Sequence, residues 1–134
     1  MLVSVWPTLG KKVMGRFVIS KKENEAFQFT LLDYENNEIL FSKDYSTKFS
    51  CDEGIELVRK YARIDPLFER GKSSDNKFYF YLKSPGGKIV GASRKYDSIK
   101  SMEMGINSVR INSTDATKEL GYNVLVTQPI NYTV

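Results

Sequence analysis

The chain contains no histidine and only one cysteine, Cys51. The missing imidazole removes the commonest general base, the commonest metal ligand and every catalytic triad built on histidine. A single thiol closes no internal disulfide. No run of about 18 apolar residues occurs, which excludes a membrane-spanning helix. Proline and glycine are too sparse, at 4 and 9 of 134 residues, for a collagenous or low-complexity chain. Charge of one sign is not in large excess either, since 20 basic residues face 16 acidic ones for a net +4. That balance suits an ordinary soluble surface, and it also permits contact with nucleic acid.

Motifs for phosphate, dinucleotide or metal binding are absent as well. Gly71-Lys72-Ser73 has the ending of a phosphate loop, but Pro66 stands where the loop needs its first glycine. The carboxylates show no metal-ligand spacing. No metal, cofactor or catalytic residue is expected, and the chain reads as a non-enzyme.

What the chain does have is a repeat. Shifted by 51 residues it matches itself at Phe17/Phe68, Lys21/Lys72, Phe27/Phe78, Phe29/Phe80, Leu31/Leu82 and Ser42/Ser93. The match continues at Tyr45/Tyr96, Ser50/Ser101, Gly54/Gly105, Ile55/Ile106, Val58/Val109 and Arg59/Arg110. Chance at average residue frequencies would give about three such identities. One compensated slip is expected in the turn, pairing Ile39 with Ile89. Two copies are too few for a solenoid and suit a pair sharing one core about a pseudo-two-fold axis. The repeats are placed at 15–64 and 65–115, with an N-terminal arm at 1–14 and a tail at 116–134. The expected state is a monomer that is a dimer fused in one chain.

Each copy reads as three strands and a helix. Phe27, Phe29 and Leu31 alternate with Gln28 and Thr30, the pattern of a strand with one buried face. Strands are expected at 16–20, 26–32 and 38–42, and again at 67–70, 77–83 and 88–93. Asn36-Asn37 and Ser84-Pro85-Gly86-Gly87 mark turns, the latter as type II. Helices are expected to start at Ser50, with Glu53 completing a capping box, and at Ser101, where Met104 replaces that glutamate. Arg59 and Arg110 fall near the helix ends, where a cation complements the dipole. The expected core is Phe17, Phe27, Phe29, Leu31, Ile39, Ile55, Val58 and, in the second copy, Phe68, Phe78, Phe80, Leu82, Ile89, Ile106 and Val109. Tyr122–Gln128 is β-prone and is read as a further edge strand.

The unit Phe27-x-Phe29-x-Leu31…Ile39…Tyr45-Ser46-Thr47…Gly54-Ile55-x-x-Val58-Arg59 recurs as Phe78-x-Phe80-x-Leu82…Ile89…Tyr96-Asp97-Ser98…Gly105-Ile106-x-x-Val109-Arg110. It resembles the YegP-like family of small bacterial and archaeal proteins over about residues 15–115. The resemblance implies an α+β fold, two β-β-β-α(-β) units sharing one antiparallel sheet with helices packed on it. Exchange of a trailing strand between the units belongs to that picture. It implies no reaction.

Two surfaces are candidates for function. Tyr45 and Tyr96 lie between the third strand and the helix of each unit, as plugs of the core edge or as ligand-stacking groups. Tyr79, Tyr81 and Lys83 alternate with buried positions and share a sheet face with Arg16. Such an aromatic and basic face is how several modules stack single-stranded nucleic acid. The favoured reading is a small interaction or ligand-binding module with an unknown protein or small-molecule partner. The alternative is a single-strand binder. No secretory signal precedes Lys11 and Lys12, so a cytoplasmic protein is expected, and an alternative translation start would fall at Met14.

Overall fold

The alternation of Phe27, Phe29 and Leu31 produces what period two demands, one buried face per strand. In the computed structural model, which describes residues 15–122, the first unit comprises β1 (Arg16–Lys21), β2 (Phe27–Leu32), β3 (Glu38–Phe41) and α1 (Lys48–Tyr61). A 3-10 turn at Asp65–Leu67 leads into β4 (Phe68–Lys72), β5 (Phe78–Lys83), β6 (Ile89–Ala92) and α2 (Ile99–Ser113), and β7 (Thr117–Leu120) follows. The strands form one sheet in the order β4-β5-β6-β3-β2-β1-β7. The two units meet antiparallel at β3 and β6, through Phe41 and Ala92. The pseudo-two-fold axis passes there.

The twin environments are closely alike. Phe29 and Phe80 are both fully buried. Phe29 meets Phe17 edge-on at 5.7 Å and Phe80 meets Phe68 at 5.6 Å. Both helices cover the same face of the sheet and cross onto strands of the other unit, α1 onto β5 and β6, α2 onto β1, β2 and β3.

Several expectations need correction. The helices start three residues earlier, with Thr47 and Ser98 as N-caps whose hydroxyls accept from the amides of Ser50 and Ser101. Tyr45 and Phe27 exchange two backbone hydrogen bonds of 2.7 Å, which keep the chain extended up to the cap. Ser50 and Glu53 therefore form no capping box. The slip between the copies does not exist. Glu38 pairs with Leu32 and Ile89 with Lys83, at matching positions, so the 51-residue register is unbroken and Val90 is the counterpart of Ile39. Ile89 takes the place of exposed Glu38 and is 45% exposed rather than in the core. Phe27 and Phe78 are half-buried, capping the ends of the core rather than filling it.

The turn at Ser84 is not type II. Gly87 carries the left-handed φ of +90° and its amide bonds the Ser84 carbonyl, the geometry of a type I turn followed by a left-handed residue. Asn36 at φ +69° occupies the same place in the first unit. The sheet is mixed rather than wholly antiparallel, because β7 runs parallel to β1. β7 lies just before the expected strand at Tyr122–Gln128, whose residues beyond Tyr122 fall outside the described ones, as does the arm at 1–14. As the trailing strand of the second unit it completes the edge of the first.

Candidate functional site

Tyr45 and Tyr96 are packing groups first. Each ring stacks at 6.3 Å on the central phenylalanine of its own unit, Phe29 or Phe80. A methyl group at Gly54 would lie 2.8 Å from Tyr45 Cζ, and one at Gly105 would lie 2.6 Å from Tyr96 Cζ. The helical glycines and the tyrosines are thus one device: the missing Cβ makes room for the phenol against the helix. Burial raises both phenol pKa values, so the rings stay neutral.

The sheet face away from the helices does not assemble the four residues expected on it into one patch. Tyr79 and Tyr81 are neighbours at 5.3 Å, and Tyr79 lies over cross-strand Gly71. Arg16 sits on β1, four strands away, or about 19 Å at the usual strand spacing. Both cations are already paired, Lys83 with Glu69 at 2.8 Å and Arg16 with Glu119 at 2.8 Å. Arg16 also donates to Asn36 Oδ1.

Cys51 is fully buried, and burial pushes its thiol up to about 11, so no nucleophile forms there. Asp33 lies beside Arg94 and Tyr96 in a shallow groove, yet its carboxylate is occupied. It accepts from the amides of Glu35 and Asn37 and from the Asn37 side chain. Among the described residues no group of carboxylates or thiol is placed to hold a metal ion, and no helix is long and apolar enough to cross a membrane.

Among the described residues, one cluster of exposed apolar side chains lines a groove. Met104 and Ile111 on α2 are each 64% exposed, and Tyr34, in the turn between β2 and β3, is 61% exposed. With Asn107, Ser108 and Asn112 they line a groove of about 740 Å³. Residues 104, 108 and 111 follow one helix face. The matching face of α1 carries Glu53, Leu57 and Lys60 at the same 51-residue offset. The second helix has therefore exchanged two charges for two apolar side chains, and the leucine between them for Ser108. Comparing the twin units position by position exposes this in the sequence.

The comparisons with known proteins agree with this architecture. The pattern of a family described as a domain of unknown function, DUF1508, matches residues 23–69 and again 73–119. The chain belongs to the DUF1508 family. It is 37% identical over 103 residues to the UPF0339 protein YegP of Escherichia coli strain K12, covering 77% of this chain and 94% of that protein. The solution structure of YegP from E. coli superposes with a TM-score of 0.77 at 35% identity, over 83% of this chain and 97% of that one. A UPF0339 protein from Shewanella oneidensis gives 0.75 at 31% identity, over 79% and 90%. DUF1508 membership accounts for the tandem β-β-β-α units, and the family is one of uncharacterised proteins. Residues 1–14 lie outside both matched units.

Proposed function

We propose that this protein is a non-catalytic interaction module that receives an apolar polypeptide segment along the outer face of α2. The observation that carries this reading is the pair Met104 and Ile111, exposed and flanked by Tyr34, where the twin helix presents Glu53 and Lys60. Large apolar side chains clustered in a groove mark docking surfaces more often than isolated ones do. The absence of histidine, the buried thiol and the occupied Asp33 leave acid–base chemistry without a placed pair. The single-strand platform has less support, because its two cations are neutralised and Arg16 stands far from the tyrosines.

A photo-crosslinking residue placed at 104, and separately at 53 on the twin helix, tests the reading. Crosslinks are expected from 104 alone and should disappear with Ile111→Glu. Equal crosslinking from both positions, or crosslinking insensitive to Ile111→Glu, overturns it.

A further inference from the structure

Taken from its middle outwards, the exposed stripe of α2 is its own complement. Lys100, Met104, Asn107 and Ile111 follow one another at spacings of four, three and four, which keeps them on one face of the helix. Met104 and Ile111 stand on either side of a point between Asn107 and Ser108, each about 5 Å from it along the axis. Lys100 and Asp115 flank the same point, each about 11 Å away. Asp115 lies just past the helix, but Thr114 keeps helical angles, φ −60° and ψ −49°, so the helical path runs on to it. Both end groups are exposed and opposite in charge. The other two charged residues of α2, Glu103 and Arg110, are engaged by Arg70 and Asp65.

We propose that the occupant of this face is a second copy of the chain, whose α2 packs antiparallel on the first about a two-fold axis between Asn107 and Ser108. This rests on the reading of the groove as a docking surface and names its partner. A two-fold contact requires a patch that complements itself. The antiparallel arrangement meets that requirement: Met104 falls against the partner's Ile111, and Lys100 against the partner's Asp115, at both ends alike. A parallel pairing would set Lys100 beside the partner's Lys100. At the axis Asn107 faces the partner's Ser108. Ser108 Oγ accepts from Asn112 Nδ2 at 3.2 Å, and its hydroxyl proton can donate across the axis to the partner's Asn107 Oδ1. Serine in place of Leu57 of α1 also lets the two helices approach closely. The same pairing on α1 would take Glu53, Glu56 and Lys60 of each copy out of water, at a desolvation cost that α2 avoids. About three turns of helix per copy make a small interface, so the pair is transient and the chain is a monomer when dilute.

Sedimentation equilibrium of the full chain from micromolar to millimolar concentration tests the pairing. The mass should rise from that of one chain towards that of two. Met104→Glu and Ile111→Glu should each weaken association by at least ~10-fold, because every change occurs twice in a two-fold contact. Lys60→Glu, at the place on α1 that matches Ile111, should leave it unchanged. Lys100→Asp should weaken association by about 5-fold at low salt, since both end pairs become repulsive. Adding Asp115→Lys to Lys100→Asp should restore the parent value. All of these positions are exposed, and thermal unfolding followed by circular dichroism checks that each variant is folded. A single-chain mass up to millimolar concentration overturns the proposal, as does a dimer insensitive to both α2 substitutions. Failure of the double charge reversal to restore association overturns the antiparallel register and the proposal with it. A monomeric chain that crosslinks from position 104 to a different protein removes the second copy while leaving the docking surface standing. A monomeric chain with no crosslink from that position removes both.

Discussion

Arg59 Nη1, on the helix of the first unit, donates at 2.9 Å to the carbonyl of Ala116, beyond the helix of the second. The same nitrogen reaches the carbonyls of Ser113 and Thr114 at 3.0 and 3.2 Å. The guanidinium lies 5.2 Å from the centre of the Phe17 ring. One side chain thus satisfies the open carbonyls at the end of α2 and fastens the two units together. Arg59 stands in the last turn of its own helix, as expected there, and its guanidinium reaches across to the end of the other. Arg110 makes no equivalent clamp, pairing instead with Asp65 at 3.8 Å.

Arg59→Ala should therefore lower stability by about 2–3 kcal/mol, the scale of hydrogen bonds from a charged group whose partners are left unmet. Arg59→Lys should recover little of it, since an ammonium cannot reproduce the planar contact with Phe17 and the fan of donors. Urea unfolding monitors both. Arg110→Ala is the internal comparison and should cost under about 1 kcal/mol, as exposed pairs do.

Gly54→Ala should destabilise, although alanine is favoured over glycine inside a helix by about 1 kcal/mol. The added methyl meets a ring that is stacked on Phe29 and whose backbone is held by two hydrogen bonds to that of Phe27, so the tyrosine cannot swing aside freely. Overpacking of this kind costs about 1–3 kcal/mol, which outweighs the helix term. Adding Tyr45→Phe should recover part of the loss by removing the overlapping hydroxyl. A Gly54→Ala protein more stable than the parent in thermal unfolding would show that the phenol moves.

Glu25 holds φ at +69° in the turn where the second unit has Asn76 at +63°. A left-handed glutamate is strained by about 1 kcal/mol, and asparagine tolerates the region better. Its ion pair with Lys21 is exposed and adds little. Glu25→Asn should accordingly raise stability by about 0.5–1 kcal/mol, and Glu25→Gly should also raise it. Asn76→Glu should do the reverse. Chemical denaturation of the three variants checks the set.

Glu103 on α2 accepts two hydrogen bonds from Arg70 on β4, at 2.6 and 3.0 Å, and Arg70 holds its carboxyl below the ordinary range. A depressed folded pKa stabilises the fold above the unfolded value near 4.3 and loses that contribution as pH falls through the folded value. The stability gap between the parent and Glu103→Gln should thus be widest near neutral pH and narrow as pH falls below the unfolded value near 4.3. The pair is partly exposed, so raising the salt concentration should narrow the gap throughout. A gap unchanged between pH 7 and 3 would remove Glu103 from the acid response.

The repeat at offset 51, the alternating faces and most of the core were legible in the sequence. They are local periodicities that any burial of apolar residues must respect. The helix starts are ambiguous in the sequence because Thr47, Ser50, Ser98 and Ser101 are all competent caps. The choice fell to the long-range bridges that hold Tyr45 to Phe27 and Tyr96 to Phe78. The false slip at Ile39 has the same origin, since an isoleucine looks alike in either register until strand pairing assigns its neighbour.

By itself, then, the sequence determined that two like units share one core, and it determined which face of each strand is buried. Only the tertiary structure decided how the units break their symmetry. At the axis Leu40 fills the space its twin, Gly91, leaves open, because a side chain there would lie 2.6 Å from Leu40 Cδ2. At the sheet edge β7 adds to β1 in parallel, since the chain after α1 runs straight into β4 and forms no such strand. On the outer surface, the helix with Met104 and Ile111 is the one beside the entry to β1. A repeat dictates what two copies have in common. Their differences acquire meaning only once packing shows which residues, distant in sequence, stand next to each other.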